Sequence, residues 1–120
     1  TVLFDETTEN NKAPNGVLLI ENNKLLLVDW GGELFEADTK TKKIKKIGEG
    51  FPGGDGLAIK NGVIYISSWK DGKVYEFKNG KSKVILKDFK AAADIALNKD
   101  KTHLIIPDMK AGTVTIHPLK

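Results

Sequence analysis

Three oxygen-bearing side chains occupy matching places in the sequence, each just before a short apolar run. Asn15, Asp55 and Asp94 follow one another at spacings of 40 and 39 residues. Carboxylate and amide oxygens that converge from equivalent positions suit hard cations such as calcium, magnesium or manganese. Asn-Gly and Asp-Gly are also ordinary turn dipeptides. Asn15 and Asp55 therefore have two interpretations, as metal ligands or as plain turn residues.

A second set of side chains ends the apolar run that follows each of these positions. Trp30 and Trp69 are 39 residues apart, and Asp29 and Asp108 lie at the corresponding run ends. These four residues form a candidate ligand pocket, because pockets combine aromatic walls with a few polar groups. Packing between neighbouring structural units is the alternative role for the two tryptophans, and the sequence favours it.

Nucleophilic catalysis finds little support. The chain has no cysteine, which excludes disulfides, thiolate nucleophiles and cysteine-bound zinc. His103 and His117 fall in different parts of one repeat, and no serine motif accompanies them. Ser67 and Ser68 lack the strand–turn–helix context of a nucleophile elbow. A Ser/His hydrolase is therefore not expected.

Self-similarity with a period near 40 residues is the strongest signal in the chain. Gly32, Gly72 and Gly112 are spaced by 40 and 40 residues. The repeats cover about residues 13–50, 51–90 and 91–120.

The repeats predict short antiparallel strands and almost no helix. β-Branched residues are frequent, glycine recurs at turns, and no long 3.6-residue periodicity appears. The predicted strands span residues 17–20, 25–29, 33–37, 43–47, 56–60, 63–68, 73–77, 83–87, 94–97, 103–107 and 113–117.

Four strands per repeat of about 40 residues predict an all-β chain, a β-propeller with three four-stranded blades. A small β-sandwich is the alternative fold, but it leaves three equally spaced glycines unexplained. In a propeller the innermost strands run along the central channel. The starts of these strands, with Asn15, Asp55 and Asp94, would then converge at one mouth as a divalent-metal site, with calcium foremost.

The two ends of the sequence predict how the arc closes. Propellers have four to eight blades, so three blades are half of a six-bladed ring, and the lone arc would leave apolar faces in water. The third repeat lacks a fourth strand, and residues 1–5 resemble residues 84–88 of the second repeat's outer strand. We expect residues 1–5 to be the displaced outer strand of the third blade, and two copies to form a twofold homodimer.

Pro14-Asn15-Gly16-Val17 and Gly54-Asp55-Gly56-Leu57 resemble motifs of the senescence marker protein / gluconolactonase family of six-bladed propellers. The resemblance covers most of the chain, as the C-terminal half of the family's ring. It implies that Asn15 and Asp55 are ligands of a divalent metal and that Asp55 is the general base of a metal-dependent lactone or ester hydrolase. The family's third ligand is a glutamate of the first blade, which has no match here.

Composition limits the partners. Hydrophobic residues make up 40% and charged residues 29% of the chain, as in a globular protein. All nineteen basic residues are lysine, whereas bidentate reading of guanine or phosphate is mainly a task of arginine. The cluster Lys40 to Lys46 is read as a solvated outer strand. We therefore expect no nucleic-acid or membrane partner. The compartment stays open, with a periplasmic or secreted location favoured over a cytoplasmic one.

These features predict a half-propeller module that dimerises and is non-catalytic by itself, with a divalent-metal or small-ligand site at the channel. The alternative is a metal-dependent lactonase-like hydrolase, which would need the missing acidic ligand.

Overall fold

Tight hairpin turns divide the chain into short strands. The turns Asn61-Gly62 and Asn79-Gly80 have positive φ at both central residues, between 50° and 78°. This pair of angles is the type I′ geometry, whose twist matches that of antiparallel strands. Asparagine and glycine tolerate the left-handed region, which is why these dipeptides stand at the turns.

The computed structural model describes residues 1–120 and contains eleven β-strands and no helix. A membrane-spanning helix is accordingly not among its elements. The strands form three separate antiparallel sheets. The first sheet consists of β1 (Pro14–Glu21), β2 (Lys24–Asp29), β3 (Glu33–Asp38) and β4 (Lys43–Glu49). The second sheet consists of β5 (Gly54–Lys60), β6 (Val63–Ser68), β7 (Lys73–Lys78) and β8 (Lys81–Leu86). The third sheet consists of β9 (Ala96–Leu97), β10 (His103–Asp108) and β11 (Thr113–Pro118).

Every predicted strand is present, but β1 begins at Pro14, three residues before the predicted start, and the strand predicted over 94–97 covers only Ala96–Leu97. Within each sheet the strands follow chain order, so that β1, β5 and β9 are edge strands on one side. The predicted all-β, antiparallel fold class is confirmed. The sheets do not close into a ring.

The sheets pack side by side through two apolar layers. Between the first and second sheets, Leu26 and Val28 pack against Leu57, Ile64 and Ile66. Between the second and third sheets, the packed side chains are Ala58, Tyr65, Val74, Ile95, Leu104 and Ile106. The second sheet is thus covered on both faces, which explains the nearly continuous apolar character of β6.

The first sheet turns its other face away from the second. Val17 pairs with Leu27 and Leu19 with Leu25, so these four side chains share this face. We call it the open face of the first sheet. Part of it is covered by the N-terminal segment, whose Phe4 packs against a cluster that includes Leu27.

The third sheet likewise has one uncovered face. Val114 pairs with Pro107, Ile116 with Ile105, and Ile105 with Ala96, so these side chains lie on one face. We call it the open face of the third sheet. Val114 and Ile116 are exposed there.

Residues 1–5 form no strand in this single chain. They lie at the first sheet, whereas β11, the edge strand that lacks a neighbour, belongs to the third sheet at the other end of the row. Residues 1–5 pair with no strand of their own chain, β4 included. The pairing of residues 1–5 with a second copy stays a prediction.

The lysine-rich strand β4 is an outer strand. Lys43, Lys45 and Lys46 are not buried, and the Lys46 ammonium pairs with Glu33 at 3.2 Å and Glu49 at 3.3 Å. These contacts agree with a solvated edge.

Candidate functional site

The Asn-Gly and Asp-Gly pairs open the edge strands β1 and β5, so they are strand residues and not turns. Neither Gly16 nor Gly56 has positive φ. A Cβ added at Gly16 would overlap the carbonyl oxygen of Asp55, and one added at Gly56 would overlap the amide nitrogen of Ile95. Glycine is required at these positions because the backbone of the next sheet approaches closely.

The close approach brings the predicted site residues of neighbouring sheets together. The side-chain amide of Asn15 donates a hydrogen bond to the carbonyl oxygen of Gly54 at 2.9 Å. The side-chain oxygen of Asn15 accepts no hydrogen bond from the chain. The hydrogen bond of Asn15 therefore connects the start of β1 to the start of β5, next to Asp55.

Asp55 is partly buried, and the charged group that acts on it is Asp94. Burial raises the pKa of Asp55, and the negative charge of Asp94 raises it further. The charge of Asp94 thus disfavours the ionised form of Asp55. A bound cation would relieve that repulsion.

The structure corrects the alignment of the third repeat by one residue. Trp30, Trp69 and Met109 donate equivalent backbone hydrogen bonds to the carbonyls of Ala13, Gly53 and Ala91, at 2.9, 2.9 and 3.0 Å. Two residues after each acceptor come Asn15, Asp55 and Ala93. Ala93 is thus the counterpart of Asn15 and Asp55, and Asp94 falls on the position of Gly16 and Gly56. The shift arises because the connection before β9 is one residue shorter than the sequence alignment assumes.

Within the chain, no group of three or more His, Cys, Asp or Glu side chains is placed to hold a metal ion. The oxygen donors at this edge are Asn15, Asp55 and Asp94, two carboxylates and one amide. Hard cations need six or more oxygens, so water or a second chain would have to supply the rest. The metal site stays a prediction.

Asp29 and Asp108, placed in the candidate pocket by the sequence, are both buried, at 3% and 4% exposure. The Asp29 carboxylate accepts a hydrogen bond from the amide of Glu33 at 2.9 Å. The Asp108 carboxylate accepts bonds from four backbone amides, those of Lys90, Ala91, Lys110 and Ala111, at 2.7 to 3.2 Å. Burial raises the pKa of Asp108, but these amides outweigh burial and hold it below its usual range. The Asp29 carboxylate thus bonds to the turn after its own strand, and the Asp108 carboxylate bonds to the turn after its strand and to the connection before β9.

Trp30 and Trp69 do come together, with ring centroids 5.7 Å apart at an interplanar angle of 49°. Lys70 Nζ lies 5.0 Å from the centroid of Trp30, and Lys110 Nζ lies 4.6 Å from the centroid of Trp69. The ammonium groups cover ring faces on which a ligand would stack. The geometry favours packing between sheets, and a ligand pocket stays a prediction.

Ser67 and Ser68, for which the sequence indicated no role, form hydrogen bonds between separate segments of the chain. The Ser67 hydroxyl accepts a hydrogen bond from the amide of Gly56 at 2.7 Å and donates to the carbonyl of Ala93 at 2.5 Å, joining the second and third sheets. Ser68 donates to the carbonyl of Pro52 at 2.5 Å. Their position at the end of β6, opposite the start of β5, is the signal that could have indicated this role.

The sequence matches no known protein-family model. A comparison with curated proteins gives no match either.

Solved structures with all-β, propeller-like architecture are similar in fold. The extracellular domain assigned to a one-component system of B. thetaiotaomicron matches with a TM-score of 0.69 and 11% identity, over 100% of this chain and 18% of that one. A Bacteroides thetaiotaomicron protein of unknown function matches with a TM-score of 0.62 and 17% identity, over 87% and 31%. The computationally designed Ika4 protein matches with a TM-score of 0.56 and 8% identity, over 95% and 96%.

The chain spans about a fifth and a third of the two bacterial proteins. At these identities the likeness concerns the fold alone.

Proposed function

We propose that this chain is a half-propeller module that pairs with a second copy to form a six-bladed β-propeller. Each sheet is one blade, and the two open faces are the surfaces that meet. In a twofold dimer the open face of the third sheet of each copy packs against the open face of the first sheet of the other.

The observation that carries the proposal is a contrast between equivalent positions. Val74 in the second sheet is fully buried against the third sheet, whereas its counterpart Val114 in the third sheet is 72% exposed. Leu57 in the second sheet is 6% exposed, and its counterpart Val17 in the first sheet is 62% exposed. Apolar side chains thus stand at both ends of the row, where the single chain leaves them in water.

The two open faces are complementary by repetition. Inside the chain, the face that contains Val74 packs against the following sheet, and the face that contains Leu57 packs against the preceding one. The open face of the third sheet corresponds to the face that contains Val74. The open face of the first sheet corresponds to the face that contains Leu57. A second copy continues the same packing at both ends, which hides the exposed apolar patches.

The N-terminal segment supports the same arrangement. Phe4 packs against a cluster in the first sheet that contains Leu27 and Phe35. Phe51, in the connection that leaves the preceding sheet, packs in the same manner against Ile66 and Tyr75 of the second sheet. Phe4 thus takes the place at the first sheet that Phe51 takes at the second, that of a residue arriving from a preceding sheet. In the dimer that preceding sheet would be the partner's third one.

This arrangement gives residues 1–5 a pairing edge. The third sheet ends at β11 and has no fourth strand. Residues 1–5 of one copy would pair with β11 of the other, adding main-chain hydrogen bonds and covering an open edge. Removal of residues 1–5 should weaken the dimer markedly while the three sheets stay folded. A truncated chain that dimerises as tightly as the full chain would refute the exchange of this strand.

For the channel we propose a non-catalytic role in binding a divalent cation. The support is the hydrogen bond that holds Asn15 at Gly54, next to Asp55, together with the pKa of Asp55, which burial and the charge of Asp94 raise. The lactonase-like alternative needs a third ligand, an acidic one, and no residue matches the family's glutamate.

A calcium titration followed by thermal melting tests the cation site. A ligand that binds only the folded state raises the melting temperature, and Asp55→Ala should remove that rise. Equal melting temperatures with and without calcium, magnesium or manganese would leave Asn15 and Asp55 with a structural role only.

A further inference from the structure

A tryptophan–lysine pattern crosses both sheet interfaces inside the chain. Lys70 of the second sheet lies over Trp30 of the first, and Lys110 of the third sheet lies over Trp69 of the second. Trp69 itself packs beside Trp30. Trp30 is therefore contacted by the next sheet in chain order through Trp69 and Lys70, and Trp69 is contacted by the next sheet through Lys110.

The pattern changes at the two ends of the row. Equivalent backbone hydrogen bonds assign Trp30, Trp69 and Met109 to one position, so the residues that follow them, Gly31, Lys70 and Lys110, share the next. Met109 is exposed, and no sheet of its own chain follows it. Gly31 has no side chain, and no sheet of its own chain precedes it.

We infer that, at each junction between two copies, Met109 of one copy packs against Trp30 of the other and lies beneath its Gly31. This inference rests on the proposed dimer and adds the contact that fixes its register. It follows from continuing the observed interface by one more sheet.

The residue types fit this position. A thioether packs favourably against an aromatic ring, so methionine can take the place of the second tryptophan. A methionine has no π-face, so a lysine at position 31 would lose its hydration without a cation–π partner. Glycine leaves the space open. The glycine is not needed for backbone geometry, because Gly31 lacks positive φ and an added Cβ would meet nothing closer than 3.4 Å.

A double-mutant cycle across the junction tests the pairing. The variants are Met109→Trp, Gly31→Lys and the two together, which would rebuild at the junction the pattern seen inside the chain. Residues 31 and 109 lie in the first and third sheets, separated by the second, so within one chain their effects should add. Both positions are exposed, so the variants should fold.

The expected result is coupling in the dimer dissociation constant, measured by sedimentation. Gly31→Lys alone should weaken the dimer, and the double variant should bind about tenfold more tightly than the two single effects predict, since each dimer has two junctions with a cation–π contact. Additive effects in an intact dimer would overturn this pairing and leave the proposed dimer standing. A wild-type chain that never dimerises would overturn both.

Fluorescence gives a readout that does not depend on the cycle. In the Trp69→Phe variant Trp30 is the single tryptophan, and its emission should shift to shorter wavelength as the dimer forms. Adding Met109→Lys should reduce that shift at a protein concentration where the dimer persists. A Trp30 emission wavelength that changes neither on dimer formation nor with the residue at position 109 would contradict the inference.

Discussion

Val114→Asp is the substitution that separates the dimer from the single chain most sharply. Val114 is 72% exposed, and surface substitutions change stability by no more than about 0.5 kcal/mol. In the dimer Val114 should be as buried as its counterpart Val74. Full burial of a valine contributes about 1.5–3 kcal/mol, and two junctions double that to about 3–6 kcal/mol. Loss of this term alone raises the dissociation constant about 100-fold or more, and an unpaired buried carboxylate adds to the effect.

The assay for Val114→Asp combines sedimentation velocity over a concentration series with urea unfolding at low protein concentration. Val84→Asp is the matched control, because Val84 is an exposed valine on the outer strand β8, away from both open faces. We expect the control to keep the wild-type dissociation constant. A Val114→Asp protein that dimerises like the control would refute the assignment of the open face of the third sheet to the interface.

Three further predictions concern the strand starts and turns. Gly56→Ala should destabilise the chain by about 1–3 kcal/mol in urea unfolding, because the added Cβ overlaps the Ile95 amide and lies 2.9 Å from the Asp94 Cα. The control Gly31→Ala has no such neighbour and should change stability by less than about 0.5 kcal/mol. Equal effects of the two substitutions would contradict the close-approach explanation. The pKa of Asp55 is raised above 3.8, so its ionisation disfavours folding as the pH rises through that raised value; Asp55→Asn should therefore stabilise the calcium-free chain at pH 7 and give no gain near pH 3, and a loss of stability at pH 7 would reverse the argument. The pKa of Asp108 is lowered, so the ionised carboxylate stabilises the fold above 3.8 and that contribution is lost as the pH falls through the lowered value; Asp108→Ala should lower the urea midpoint at pH 7 and do so less in acid, whereas a pH-independent loss would argue against the hydrogen-bonded carboxylate.

Local sequence signals were sufficient for the strands. Asn61-Gly62 and Asn79-Gly80 fix two hairpins by their own backbone preferences, and the apolar runs between turns fix which segments are strands. Such signals act within a few residues, so their structural consequences can be read from the sequence alone.

The site depended on contacts between sheets, which local patterns do not encode. Asp94 looked equivalent to Asp55 because both are acidic, but strand register assigns that place to Ala93. The glycine after Asn15 was readable as a turn signal, whereas its structural reason is the backbone of the next sheet. Asp29 and Asp108 were placed in a pocket from their position at strand ends, and their hydrogen bonds to backbone amides appear only once the turns are built.

The lysines over the tryptophan rings show the same limit. Lys70 and Lys110 follow Trp69 and Met109 in sequence, but each covers the ring of the preceding sheet. Predicting this role requires knowing how the side chains of neighbouring sheets meet. The period near 40 residues implies the order of the sheets but not these side-chain contacts.

Sedimentation equilibrium of the full chain at micromolar concentration tests the central claim most directly. The chain has a mass of 13.2 kDa, so a half-propeller that closes with a second copy should give a single species of about 26 kDa, because its two open faces are both covered only in a closed pair. A folded species of 13.2 kDa across that concentration range would contradict the account, as would open-ended association into larger assemblies.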